Sequence, residues 1–280
     1  MKVIPWRLPD RLIEIGPRPL VMGIVNVTPD SFSDGGRYFD HDRAVAHGER
    51  LLSEGADILD VGGESTRPGA DPVPAEEELR RVIPVVRRLA PRAIVSLDTM
   101  KPEVAAAGLE AGAMIINDVS GFRQPEMIRV AARHRAAVIV MHMRGTPRTM
   151  QIDPVYDDVV GEVGRFFEDR LRVLTESGID REAVCLDPGI GFGKTLEHTL
   201  SQLANLGEYS RFGRPVCLGV SRKGFIGQLC GRDRSERLAG SLAVACFAAA
   251  RREAQVLRVH DVAATRDAAV LLEAIDRCRR

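Results

Sequence analysis

The chain lacks an excess of charge of either sign: 39 Lys and Arg stand against 39 Asp and Glu. No basic field advertises nucleic acid or an anionic membrane surface as a partner, and neither is expected. No apolar run reaches the ~18 residues that a membrane span needs. The richest, residues 242–250, is short and alanine-heavy and reads as a buried helix. The first nine residues lack an unbroken apolar stretch, so no secretory leader is expected. The five cysteines, Cys185, Cys217, Cys230, Cys246 and Cys278, are odd in number, widely spread and free of any C-x-x-C pair. That argues against a disulfide framework or structural zinc and favours a reducing, cytoplasmic location. The six histidines show no H-E-x-x-H spacing.

What is present is alternation. Short β-rich runs at 20–25, 58–61, 93–97, 114–116, 137–141, 183–186, 216–220 and 256–259 are separated by stretches with helical apolar spacing. The helical stretches lie at 44–52, 77–89, 103–109, 126–132, 155–174, 196–206, 236–250 and 263–275. Strands separated by helices imply parallel pairing through right-handed crossovers. Eight such units, with no linker and no shift of composition, predict one α/β domain over 1–280. Its architecture is a (β/α)8 TIM barrel, with residues 1–19 as an N-terminal extension. An open doubly wound sheet is the alternative. Pro102 is placed for the first turn of the third helix, and Ser235 for the cap of a later one.

In such a barrel the active site lies at the C-terminal ends of the strands. All eight ends are polar. In order they carry Asn26 with residues 28–36; 62–69, including Glu64, Thr66, Arg67 and Pro68; Asp98; Asn117; His142; Asp187; Ser221-Arg222-Lys223; and Arg258 and His260 around Val259. Helix capping explains one or two polar residues at such ends, not all eight. Arg258 and His260, two apart, share one side of a strand. Asp98, Asn117 and Asp187 can pair in-plane with an amino-oxo heterocycle. Arg258, His260, Arg67 and Thr66 are donors suited to a diphosphate. Asn26 with neighbouring oxygens could hold Mg²⁺, which favours oxygen ligands and often binds through substrate phosphates. Some residues have plainer readings: His142 as a core histidine, Arg222 as a solvated charge, Glu64 as a partner of Arg67, Asp118 and Asp261 as caps.

Residues 188–195 imitate two nucleotide motifs and satisfy neither. Pro188 occupies the first glycine position of a P-loop, and Lys194 the last glycine position of G-x-G-x-x-G.

The runs 22–36 and 60–69 resemble the two long signature segments of the dihydropteroate synthase family. Asp187-Pro188-Gly189, Ser221-Arg222-Lys223 and the run 258–262 match as well, so the resemblance spans residue 20 to the C-terminus. It implies an enzyme that condenses 4-aminobenzoate with (7,8-dihydropterin-6-yl)methyl diphosphate, giving 7,8-dihydropteroate and diphosphate in folate biosynthesis. By carry-over, Asp98, Asn117, Asp187 and Lys223 hold the pterin, and Asn26 helps to hold Mg²⁺. Thr66, Arg67, Arg258 and His260 contact the diphosphate. Ser221, Arg67, Pro68, Lys223 and Phe192 surround the aminobenzoate, where sulfonamides would compete. Asp98, Asp187, Lys223, Arg258 and His260 are the expected catalytic set. The family also suggests a homodimer built on late helices. A pterin-binding methyltransferase domain and a non-catalytic pterin-binding paralogue are the rival readings.

Overall fold

The structure is a computed structural model that describes residues 3–28, 37–67 and 69–278, the side chains of 37–40 excepted. Two short antiparallel strands come first, β1 (Ile4–Arg7) and β2 (Leu12–Ile15). Eight parallel strands follow: β3 (Leu20–Asn26), β4 (Ile58–Gly62), β5 (Ile94–Asp98), β6 (Ile115–Asp118), β7 (Ala137–Met141), β8 (Val184–Asp187), β9 (Cys217–Leu218) and β10 (Val256–Val259). Their neighbour order is β8-β7-β6-β5-β4-β3-β10-β9, and a parallel bridge between Leu186 and Val216 joins the two edges. The sheet is therefore a closed barrel, and the open-sheet alternative falls. The helices are α1 (Arg37–Ser53), α2 (Ala75–Leu89), α3 (Pro102–Glu110), α4 (Pro125–His134), α5 (Val159–Glu176), α6 (Leu196–Ala204), α7 (Gly224–Cys230), α8 (Leu238–Ala250) and α9 (Val262–Arg277). None is long and apolar enough to cross a membrane.

Strand alternation sorts the apolar residues into two sets. Val21, Leu59, Val95, Val138, Leu186 and Leu257 face outward and pack under the helices. Met22, Ile58, Ile115, Ile139, Cys185, Cys217 and Val256 face inward and form a separate cluster. The β1–β2 hairpin closes that inner cluster from the N-terminal end. Trp6 and Ile15 are buried in it, and Trp6 Nε1 donates to the Ala183 carbonyl oxygen at 3.0 Å. This apolar floor leaves only the C-terminal end of the barrel for chemistry.

Several details differ from the sequence expectations. The hairpin gives no alternating apolar signal, because one of the two exposed residues of β2 is itself apolar, Leu12 at 43%. α7 is a short extra helix after β9. The last-but-one helix starts at Leu238, after a 3-10 turn over Arg234–Glu236, so Ser235 is not its cap and Arg237 takes that position. Pro102 does begin α3.

Candidate active site

The inward positions change character about two residues from the strand ends. Pairing places Asn26 beside Gly62, Gly62 beside Asp98, and Asp98 beside Asn117, one rank across four adjacent strands. Gly62 is the gap in that rank: a Cβ there would stand 3.4 Å from the Cβ of Asp98. One step deeper Asp60 lies level with Ser96. From the other side of the ring, β10 turns Arg258 inward while Val259 joins the outer core, as the period-two argument requires.

Arg258 ties the rank together. Its Nε donates to Asp60 Oδ2 and its Nη2 to Asp98 Oδ2, both at 2.6 Å. Asn117 Nδ2 donates to the same Asp60 oxygen at 3.1 Å. Asp60 thus belongs to the site, although the sequence reading did not single it out. The available signal was a carboxylate two residues after the inward Ile58, within an otherwise apolar strand. Three oxygens, Asp60 Oδ1, Asp98 Oδ1 and Asn117 Oδ1, are buried without a partner among the described residues. Buried polar groups are normally paired, so three unmatched acceptors on adjacent strands mark a place for a ligand rich in N–H donors.

Burial pushes the Asp98 carboxyl up to about 8, against the opposing pull of the Arg258 cation. Burial also works against the Arg258 cation, but Asp60 and Asp98 outweigh it and hold it protonated. Asp187 is likewise raised by burial, with Lys223 pulling the other way. Its Oδ1 accepts from the Gly189 N–H at 2.7 Å. Gly189 has φ +63°, and a Cβ there would overlap the carbonyl oxygen of His142, so only glycine fits.

Lys223 sits half-buried at the start of α7. Its Nζ donates to the Ile190 carbonyl and stands 4.4 Å from the centroid of the half-buried Phe192 ring, a cation–π contact. Burial lowers it to about 8, against the attraction of Asp187. Ser221 Oγ accepts from the His260 N–H at 3.1 Å and lies 3.0 Å from His260 Nδ1. Burial, then the charges of Arg258, Arg234 and Arg222, push His260 down to about 4. It is therefore a neutral imidazole near pH 7, able to donate from one nitrogen.

The second loop is placed less directly. Thr66 is half-buried and Arg67 exposed on the rim. The Arg67 charge is felt at Arg234, together with those of Arg222 and Arg237, so cations from two loops crowd one side of the mouth. Pro68 lies outside the described residues, as do residues 29–36 of the first loop. Glu64 does not pair with Arg67. It bonds Lys101 Nζ and accepts from the Val73 N–H at 3.3 Å. Arg222 is not a free solvated charge: it forms a two-pronged pair with Asp261, with Nε to Oδ2 at 2.9 Å. Asp261 stands at the cap position of α9 but spends its side chain on that pair instead. Asp118 does cap a turn, accepting from Ser120 N and Phe122 N. His142 is a core histidine bonded to Lys194 Nζ at 3.2 Å. Among the described residues no three His, Cys, Asp or Glu side chains converge as a metal centre.

The closed barrel thus presents, at its C-terminal mouth, unmatched carboxylate and amide oxygens beside a cluster of arginines, and its sequence places it among the pterin-binding barrel enzymes. The model of the pterin binding enzyme family matches residues 22–260. The chain is 50% identical over 258 residues to the dihydropteroate synthase of Escherichia coli, covering 91% of each. It superposes on the Xanthomonas albilineans dihydropteroate synthase solved with 4-aminobenzoic acid with a TM-score of 0.92, at 49% identity, covering 99% of this chain and 100% of that one. A Yersinia pestis dihydropteroate synthase in complex with a sulfonamide drug gives the same TM-score of 0.92 at 43% identity, covering 98% of this chain and 100% of that one. The chain belongs to the dihydropteroate synthase family.

Proposed function

We propose that the chain condenses 4-aminobenzoate with (7,8-dihydropterin-6-yl)methyl diphosphate, releasing diphosphate and forming 7,8-dihydropteroate. The observation that carries this reading is the buried set of unmatched oxygens on Asp60, Asp98 and Asn117, beside an arginine that reaches toward the mouth. A pterin presents the N–H donors those acceptors lack. Leaving them unpaired is costly, so the pocket selects for that edge. Asp187 and Lys223 complete the pterin side. Arg258, His260, Thr66 and Arg67 take the diphosphate. Ser221, Phe192, Lys223, Arg67 and Pro68 frame the aminobenzoate, the place where a sulfonamide would compete.

The chemistry follows from charge. The bond between the pterin methylene and the diphosphate oxygen breaks, and negative charge grows on the leaving group. Arg258 and the cations of the rim stabilise it, and His260 donates an N–H without bringing charge. The methylene left behind is cationic, with charge spread into the ring and its N–H groups, and the acceptor oxygens of Asp98 and Asp187 favour it. The arylamine nitrogen then forms the new C–N bond. Its lone pair is free at neutral pH, so no strong base is needed, and its proton passes to solvent or diphosphate. Asn26, at the end of β3, supplies one amide oxygen. That donor set fits a Mg²⁺ held mainly by the diphosphate's own oxygens rather than a resident ion. Bound there, Mg²⁺ would offset charge on the departing group.

Two finer readings belong here. Phe247 on α8 is 47% exposed and Leu271 on α9 is 63% exposed, and these two helices pack side by side. That apolar face supports a homodimer through α8 and α9; elution as a monomer in gel filtration at micromolar concentration would end it. Five unpaired cysteines, Cys185 and Cys217 buried in the barrel, support a reducing cytoplasm.

The test is diphosphate release measured with both substrates, with each alone, and with and without Mg²⁺. Release that requires both supports the reaction. Tight pterin binding with no release would identify a non-catalytic pterin binder instead.

A further inference from the structure

The turn after β8, residues 189–193, carries no regular hydrogen-bonded structure, yet every one of its carbonyls is engaged by a side chain. Gly189 and Phe192 carbonyls both accept from Lys194 Nζ at 3.0 Å. The Ile190 carbonyl accepts from Lys223, that of Gly191 from Gln151 Nε2 at 2.7 Å, and that of Gly193 from the Tyr156 hydroxyl at 2.9 Å. Lys194 is the exceptional member. It is only 3% exposed, and no carboxylate bonds it. Its third contact is His142 Nδ1. A buried lysine without an acid partner is costly, and a simple surface turn has no need of one.

We propose that Lys194 is a positioning residue for the aminobenzoate pocket. By clamping the two ends of the 189–192 turn, closed by the Phe192 N–H to Gly189 carbonyl bond at 2.9 Å, it fixes the direction of the Phe192 ring. The ring in turn fixes the Lys223 ammonium above it. Lys223 is bonded to the same turn, so one displacement moves both walls of the pocket. Asp187 is tied to the start of that turn through Gly189 N, but its carboxylate is anchored on β8. The pterin side keeps Asp187 on its strand and shares only Lys223 with the displaced turn, so it feels the change less than the aminobenzoate side, which loses the set of both walls. This rests on the reading of Phe192 and Lys223 as walls of the aminobenzoate site.

The test is a pair of Michaelis constants for Lys194→Met, with Phe192→Leu and the double variant completing a cycle. The Michaelis constant for 4-aminobenzoate should rise roughly tenfold in Lys194→Met, while that for the pterin diphosphate, which shares only Lys223 with the turn, rises by no more than about threefold. The double variant should lose clearly less than the sum of the two single effects, because the lysine acts on the same turn and ring. Additive effects, or both constants rising together with a fall in thermal midpoint, would overturn the proposal and leave a purely structural lysine. If the methionine variant does not fold, the cycle runs on Lys194→Gln, whose amide keeps two N–H donors, with the same criteria. Failure of the wild type to release diphosphate would instead strike the reaction itself, independently of Lys194.

Discussion

Arg258 and Asp98 stand 160 positions apart in the chain and share a 2.6 Å hydrogen bond in the mouth of the barrel. That single contact links β10 to β5 across the barrel, the two strands to which the proposed reaction assigns the leaving group and the pterin. Removing Arg258 strips Asp60 and Asp98 of their common cation and strips a donor from the diphosphate, whereas removing Asp98 leaves Arg258 its pair with Asp60. Turnover should fall by roughly 10²–10³ in Arg258→Ala, the scale of losing one preorganised donor. Asp98→Asn should weaken pterin binding as well. Their double variant should lose much less than the sum of the two effects, since each single change already breaks the same pair. Steady-state kinetics on the three variants check this, and near-normal turnover in Arg258→Ala would remove the residue from the mechanism.

The strands were readable because a barrel buries each of them on both faces, giving continuous apolar runs with polar ends. Asp98, Asn117, Asp187 and Arg258 lie at those ends, and the structure brings them together at one end of the barrel. Asp60 escaped notice because it sits one step inside an apolar run, where local patterning assigns it no role until Arg258 arrives from 198 positions away. The same limit hid the hairpin. Trp6 is explained by Ala183 across the barrel floor, a long-range contact with no local trace. β9 covers only Cys217–Leu218 of the apolar run 216–220; Val216 beside it bridges Leu186 and donates its N–H to Gln255 Oε1. Glu64 pairs with Lys101 rather than with Arg67, and Arg222, read as a solvated charge, pairs with Asp261. Ion pairs follow the fold, not the spacing.

Lys223 predicts an alkaline limit to aminobenzoate binding. Burial lowers it to about 8. Above that pH the ammonium is lost, and with it the attraction for a carboxylate substrate. The Michaelis constant for 4-aminobenzoate should begin to climb as pH passes about 8, toward tenfold per unit once the neutral amine dominates. Lys223→Arg, which stays charged, should bind less well at pH 7 but lose that alkaline rise. A wild-type constant that stays flat from pH 7 to 9.5 would show that this cation does not meet the carboxylate.

Lys101 predicts a large stability effect away from the chemistry. Its Nζ bonds Glu64, which holds the far end of the second loop through Val73 N, and Glu78, a fully buried carboxylate at 2.5 Å. Burial already raises Glu78. Lys101→Met leaves that group without its cation, which should cost about 3–5 kcal/mol. Adding Glu78→Gln should recover a good part of the loss, because the uncompensated charge is gone. Urea melts of the two variants decide it. A cost below about 1 kcal/mol would mean the pair behaves as a solvated surface bridge.

His142 predicts how the fold responds to acid. Burial, then the charge of Lys194, depresses it to about 2, whereas an unfolded chain takes up that proton near 6.5. Below the unfolded value the unfolded state binds more protons, so the contribution of this group to stability is present above pH 6.5 and declines as pH falls toward 2. The slope is at most about 1.4 kcal/mol per pH unit. Asp98 works in the opposite direction, since its raised pKa makes the fold gain relative stability as pH falls through 8 toward 4. The net curve therefore mixes the two, and the informative quantity is a difference. Wild type minus His142→Gln should lose stability steadily from pH 6.5 to 4.5, because glutamine keeps an amide for Lys194 but takes up no proton. Parallel pH curves for the two proteins would place the imidazole in contact with water, contrary to its packing edge-on against Phe166 at 5.1 Å.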